Sequence, residues 1–136
     1  MIERACLSLE QAQRAVTAVI AEADKDGRPM AAAVVDDHGD LICCARMDGA
    51  PARVQRFAIR KAYTAAVMGR NTLVFKKDIV DHNRSLSDYG DPLFTTLQGG
   101  HVVIADGRVV GAVAAGGNTT ERDEEIAAIG VKAIGV

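Results

Sequence analysis

Three short stretches carry side chains whose type and spacing allow chemistry. The first is Arg46-Met47-Asp48-Gly49-Ala50. The Arg46 guanidinium offers a two-pronged donor to a carboxylate, and a helix starting just after it would add free backbone N–H groups. The plainer role is a surface Arg46–Asp48 pair that holds a turn, with Asp48 as a cap. The second is Lys61, in Arg60-Lys61-Ala62-Tyr63-Thr64-Ala65-Ala66. Ala62, Ala65 and Ala66 mark a packed helical face, and Lys61 lies at its edge. An ammonium there can reach a ligand anion, or lower its own pKa by partial burial. The plainer role is a lysine that extends along the helix flank to water.

The third stretch is Gln98-Gly99-Gly100-His101, facing Gly116-Gly117-Asn118 across one hairpin. Paired glycines at both ends leave room for a ligand close to the backbone. His101 at the strand start is then a base, an acid or an iron ligand. Its plainer role is a solvent-facing edge histidine. Glu121, Asp123, Glu124 and Glu125 open the helix that follows. They already complement its dipole, which speaks against a bound phosphate and for a small organic ligand. His38 and His82 have no partner at metal-ligand spacing and read as surface residues. No Ser-His-Asp order, phosphate loop or zinc pattern occurs.

These residues need elements to hold them. Ser8 and Gln11 form a capping-box signature, and Leu9, Ala12, Val16, Val19, Ile20 and Ala23 recur at three- and four-residue spacing up to Gly27. That predicts a helix with one buried stripe and a glycine stop. Met30 to Asp36 and Leu41 to Met47 read as two strands around the Asp37-His38-Gly39-Asp40 turn. Pro51 suits the first turn of a second helix, which carries Val54, Phe57, Ala58, Ala62, Ala65 and Ala66 inward before Gly69. A third helix is expected over Leu73 to Val80. Asp81 to Gly100 reads as a long functional loop with one short helical turn. His101 to Ala105 and Val109 to Ala115 form a second hairpin around Asp106-Gly107. Gly116 to Thr120 leads into a last helix with Ile126, Ile129 and Ala133 inward. The order α-β-β-α-α-β-β-α, with two hairpins, predicts an α/β (α+β) fold: an antiparallel sheet flanked by helices.

Composition sets the class. The chain has 136 residues, 16 Lys+Arg against 18 Asp+Glu and a net charge of −2, which suits a single domain over 1–136. No basic excess is present to neutralise phosphates, so nucleic acid is not an expected partner. No apolar run approaches the ~20 residues that span a bilayer. Without a basic start and apolar stretch at the N-terminus, no secretory signal is read, and a cytoplasmic location is expected. Aromatics are only 4 % and Trp is absent. A core of Ala, Val, Ile and Leu buries less area per side chain, and covering one face with a copy of itself is a common remedy, so a homo-oligomer is expected. Cys6, Cys43 and Cys44 read as reduced thiols, and two adjacent strand cysteines point to opposite faces.

Five motifs in order carry a resemblance: Arg46-Met47-Asp48-Gly49-Ala50, Lys61-Ala62-Tyr63-Thr64-Ala65-Ala66, Leu97-Gln98-Gly99-Gly100, Val110-Gly111-Ala112-Val113 and Asp123-Glu124-Glu125-Ile126-Ala127. Together they resemble the GlcG/HbpS-like family, which includes the C-terminal domain of PduO-type proteins, over nearly the whole chain. The resemblance implies a profilin-like domain, homo-oligomers, and heme binding or a companion role in glycolate or diol catabolism. It maps shared pocket residues onto Arg46, Asp48, Lys61, Gly99, Gly100 and Asp123. The chain departs from the family at His101-Val102, where an apolar residue and proline are usual, and at Ala114-Ala115-Gly116-Gly117. His101 is thus an addition at the expected pocket rim.

Two functions stand open on the sequence. One is a small-molecule-binding protein with heme as ligand, in which Arg46, Asp48, Lys61, Gly99, Gly100, His101, Gly116 and Gly117 form the site and His101 meets the iron. The other is a cofactor-independent catabolic enzyme on a small carboxylated or carbonyl substrate. There Arg46 and Lys61 hold the anion, and Lys61, His101 or Asp123 moves a proton. A blander role is an assembly partner with no ligand.

Overall fold

Helix α1 (Leu9–Asp26) begins where its cap dictates. The Ser8 hydroxyl accepts the Gln11 N–H while the Gln11 side chain accepts the Ser8 N–H, and Gly27 ends the helix in left-handed geometry at φ 65°. The computed structural model describes residues 1–136. After α1 come β1 (Ala31–Asp36), β2 (Leu41–Arg46), α2 (Ala52–Met68) and α3 (Thr72–Asp81). A 3₁₀ turn at Leu86–Tyr89 interrupts the long loop, and β3 (Gly100–Ala105), β4 (Arg108–Gly116) and α4 (Thr120–Ile134) complete the chain. The order is the one expected from sequence, with boundaries moved by a residue at α3 and at both hairpins.

The four strands form one antiparallel sheet in the order β2-β1-β4-β3, so the two hairpins join through β1 and β4. Both central strands are covered on both faces, and β1 is therefore buried from Ala31 to Val35 without alternation. Helices α1 and α4 cover one face, where Ala15, Val19, Ile126 and Ile134 meet Val34, Val103 and Val113. Helix α2 covers the other, laying Ala58, Ala62 and Ala65 on Ala31, Ala33, Ala112 and Ala114. Alanine against alanine lets the α2 backbone come close to the sheet, so that a Cβ built on Gly100 would stand 2.3 Å from the Lys61 carbonyl oxygen. The few aromatics gather elsewhere: Phe75, Phe94, Tyr63 and Tyr89 pack ring on ring and pin the long loop onto α2 and α3.

Two side chains expected in the core lie outside it. Leu9, in the first turn of α1, is 55 % exposed, and Phe57 of α2 is 41 % exposed. Ile129 and Ala133 are half-buried on the flank of α4. Cys43 and Cys44 do face opposite sides of the sheet, the first against the α1/α4 core and the second against α2. No helix is long and apolar enough to cross a membrane.

Candidate functional site

Close approach of α2 to the sheet places Lys61 against the ends of β3 and β4. Its ammonium donates to Asp123 Oδ2 at 3.0 Å and to the Ala115 carbonyl at 3.1 Å. Both side chains of the pair are only 3 % exposed. Asp123 Oδ1 accepts the Asn118 N–H at 2.9 Å, so each carboxylate oxygen is engaged. Burying such a pair is costly, and the hydrogen bonds around it are what offset the lost hydration. An ammonium carries three N–H donors, and protein atoms take two of them.

The glycine pair behind Lys61 explains how the lysine is held. A Cβ on Gly99 would stand 2.8 Å from Lys61 Nζ, and one on Gly100 would stand 2.3 Å from the Lys61 carbonyl oxygen. Gly99 also has φ +131°, where side chains are rarely found. Gly100 is fixed from the other side, its N–H donating to Thr72 Oγ1 at 3.0 Å. The missing side chains at Gly99 and Gly100 therefore make room for α2. Gly116 does the same two turns earlier in α2, with its Cβ position 3.1 Å from the Val54 carbonyl.

Asp123 is held by the start of α4. Thr119 caps that helix through the Arg122 N–H. Arg122 reaches across to α1 and meets Asp26 and Glu22, at 2.8 and 3.1 Å, while the Asn118 amide also donates to Asp26. Asp26 and Glu22 push the Arg122 guanidinium further up, Lys25 and Arg122 hold the Glu22 carboxyl below its usual range, and Arg122 holds Asp26 below its own. On the far side of the sheet's end, a 2.6 Å hydrogen bond to Asp91 raises the Tyr63 phenol and ties down the loop that delivers Leu97.

A cleft of about 310 Å³ opens over the ion pair. Its floor is Lys61, Asp123, Gly116 and Gly117; Val54, Phe57 and Leu97 make an apolar wall, and Arg53 and Thr120 stand at the rim. Four of the residues picked from sequence thus meet here: Lys61, Asp123, Gly116 and Gly117. Gly99 and Gly100 lie directly behind. Arg46 and Asp48 do not join them; both are exposed at the outer end of edge strand β2 and line no part of the cleft. His101 is also apart. It pairs with Val113, whose side chain belongs to the α1/α4 core, so His101 projects from the sheet face opposite α2, with Nδ1 2.9 Å from the Val102 carbonyl.

Sequence reasoning missed Arg53 and Thr120 and placed Phe57 in the core. A signal was present: Arg53, Phe57 and Lys61 recur every fourth residue and so stack on one side of α2, beside the buried Val54, Ala58 and Ala62. A larger cavity of about 610 Å³ lies between residues 2–5 and the two hairpin turns, but its Arg4 is already tied to Asp36 and Asp37.

Residues 7–132 match the family described as "Haem degrading protein HbpS-like". Over 113 residues the chain is 34 % identical to protein GlcG of Escherichia coli strain K12, covering 83 % of each. Its fold superposes on a crystal structure of a double mutant of HbpS from Streptomyces reticuli with a TM-score of 0.91 at 31 % identity, covering 100 % of this chain and 92 % of that one. A crystal structure of a PduOC:heme complex superposes with a TM-score of 0.86 at 27 % identity, covering 96 % of both.

Proposed function

The chain belongs to the HbpS-like family, and from that premise we propose that it is a small-molecule-binding protein whose ligand lies in the cleft over the Lys61–Asp123 pair. The observation that carries this reading is a fully buried ion pair at the floor of a cleft with an apolar wall, a costly arrangement that packing alone does not require. The relative solved as a heme complex supports heme as the ligand class. The cleft suits the edge of a heme, one of whose two carboxylates would meet Arg53 and Lys61 while the other stays in water, and whose ring would lie on Phe57 and Leu97. It does not suit the iron: no His, Cys, Met or Tyr lines it. The His101 imidazole would hold iron only at a second place, on the other face of the sheet.

An absorbance titration with hemin separates these. We expect saturable binding that survives His101→Ala and weakens in Phe57→Ala. Binding lost in His101→Ala and unchanged in Phe57→Ala would move the site to β3 and overturn the reading.

A second reading, an enzyme without cofactor acting on a small carboxylated or carbonyl substrate, is favoured by Lys61, which lines the cleft beside the Asp123 carboxylate and has one N–H that no protein atom accepts. It predicts turnover that Asp123→Asn abolishes, because that change keeps an acceptor for Asn118 but removes the charge. Both sheet edges, β2 and β3, are unpaired and carry exposed Leu41 and Ile104, which supports a homo-oligomer. Three free thiols, Cys6, Cys43 and Cys44, support a reducing compartment, the cytoplasm.

A further inference from the structure

The charges around the cleft specify a ligand more closely. Lys61 and Asp123 cancel, and both Asp123 oxygens are occupied. Arg53 at the rim is exposed and takes part in none of the chain's ion pairs. The cleft therefore carries one uncompensated positive charge, together with one unused N–H on an ammonium that is 3 % exposed. Between the two cations on the same side of α2 lies Phe57, which with Leu97 makes the apolar wall, each more than a third exposed. At about 310 Å³ the space sits at the small end of ligand sites, which run from roughly 300 to 1,000 Å³.

Resting on the reading that a ligand occupies this cleft, we propose that the ligand is a small monocarboxylate with a short apolar tail. One carboxylate oxygen accepts the free N–H of Lys61, Arg53 neutralises the charge from the rim, and the tail covers Phe57 and Leu97. A dianion would leave one charge unpaired, and an alcohol or amide would leave Arg53 without a counter-charge. Charge-assisted hydrogen bonds to a desolvated lysine are the stronger kind, so the carboxylate supplies affinity and the wall supplies length selection.

Amide chemical-shift titration of the full chain with acetate, butanoate, hexanoate and hexanamide tests this, with hemin as a parallel probe. Affinity should rise from acetate to hexanoate, hexanamide should leave the spectrum unchanged, and Arg53→Gln should weaken hexanoate by about tenfold or more. Phe57→Ala should flatten the rise with chain length. Arg53 holds no ion pair, so Arg53→Gln keeps the fold. Equal binding of hexanamide, or hexanoate affinity unchanged in Arg53→Gln, overturns the proposal. If hemin perturbs the cleft amides and no carboxylate does, this proposal falls and the broader reading stands; if neither perturbs them, both fall.

Discussion

Lys61→Met isolates the buried charge of Asp123. Methionine keeps most of the lysine stem, so packing against Gly99 changes little, but the carboxylate stays 3 % exposed with only the Asn118 N–H facing it. Breaking one side of a buried pair costs about 3–5 kcal/mol, a large share of the roughly 5–15 kcal/mol that holds a domain together. With an unfolding entropy near ~2.1 cal/mol/K per residue, a chain of this length loses roughly 3.5 °C of Tm per kcal/mol, so the expected fall is about 10–17 °C. Asp123→Asn added to Lys61→Met removes the stranded charge while leaving a carbonyl for the Asn118 N–H. The double variant should recover about half of the loss or more, the mark of coupling between the two positions. Calorimetric melts of wild type, both single variants and the double give the cycle. A fall below about 3 °C for Lys61→Met, or a double variant no more stable than it, would refute the claim that the pair is the buried core of the site.

Gly100→Ala places a methyl 2.3 Å from the Lys61 carbonyl oxygen, backbone that cannot swing away, and should cost about 1–3 kcal/mol or more in urea unfolding; a neutral result would mean that α2 stands farther from the sheet. Acid should weaken the α1–α4 clamp. Glu22 and Asp26 are held below their ordinary 4.5 and 3.8 by Lys25 and Arg122, and by Arg122, so their stabilisation is complete above those values and fades as pH falls through the lowered ones. The urea midpoint should drop below about pH 4, and Arg122→Ala should flatten that limb; identical acid limbs would exclude the clamp. Light scattering should give a multiple of 14.3 kDa, and a clean 14.3 kDa species would defeat the homo-oligomer.

Local order was legible because local rules decide it. The Ser8–Gln11 box and Gly27 bound α1, and Asp37–Asp40 and Asp106–Gly107 bound the two hairpins, with nothing distant needed. That β1 and β4 would join the hairpins was not legible: Ala31–Val35 and Val110–Ala115 are apolar on both faces, and such runs carry no register of their own. At the site, Lys61 and Asp123 were each picked out, but their pairing spans 62 residues and depends on how near α2 lies to the sheet. The paired glycines read as space for a ligand, and at Gly99 and Gly100 that space is taken by the α2 backbone and Lys61. Phe57 misled because its four-residue spacing to Lys61 suits a cleft wall as well as a core stripe. His101 was drawn to the site by its neighbours in sequence, whereas strand alternation sends it to the opposite face from Gly100.

Everything proposed of the function rests on ligand binding over the Lys61–Asp123 pair. An amide map of the isotope-labelled protein with hemin and with hexanoate tests it most directly, hemin through paramagnetic broadening. Perturbations should group at Arg53–Phe57, Leu97 and Gly116–Thr120. Perturbations centred on His101–Val103, or none anywhere with either probe, would contradict it.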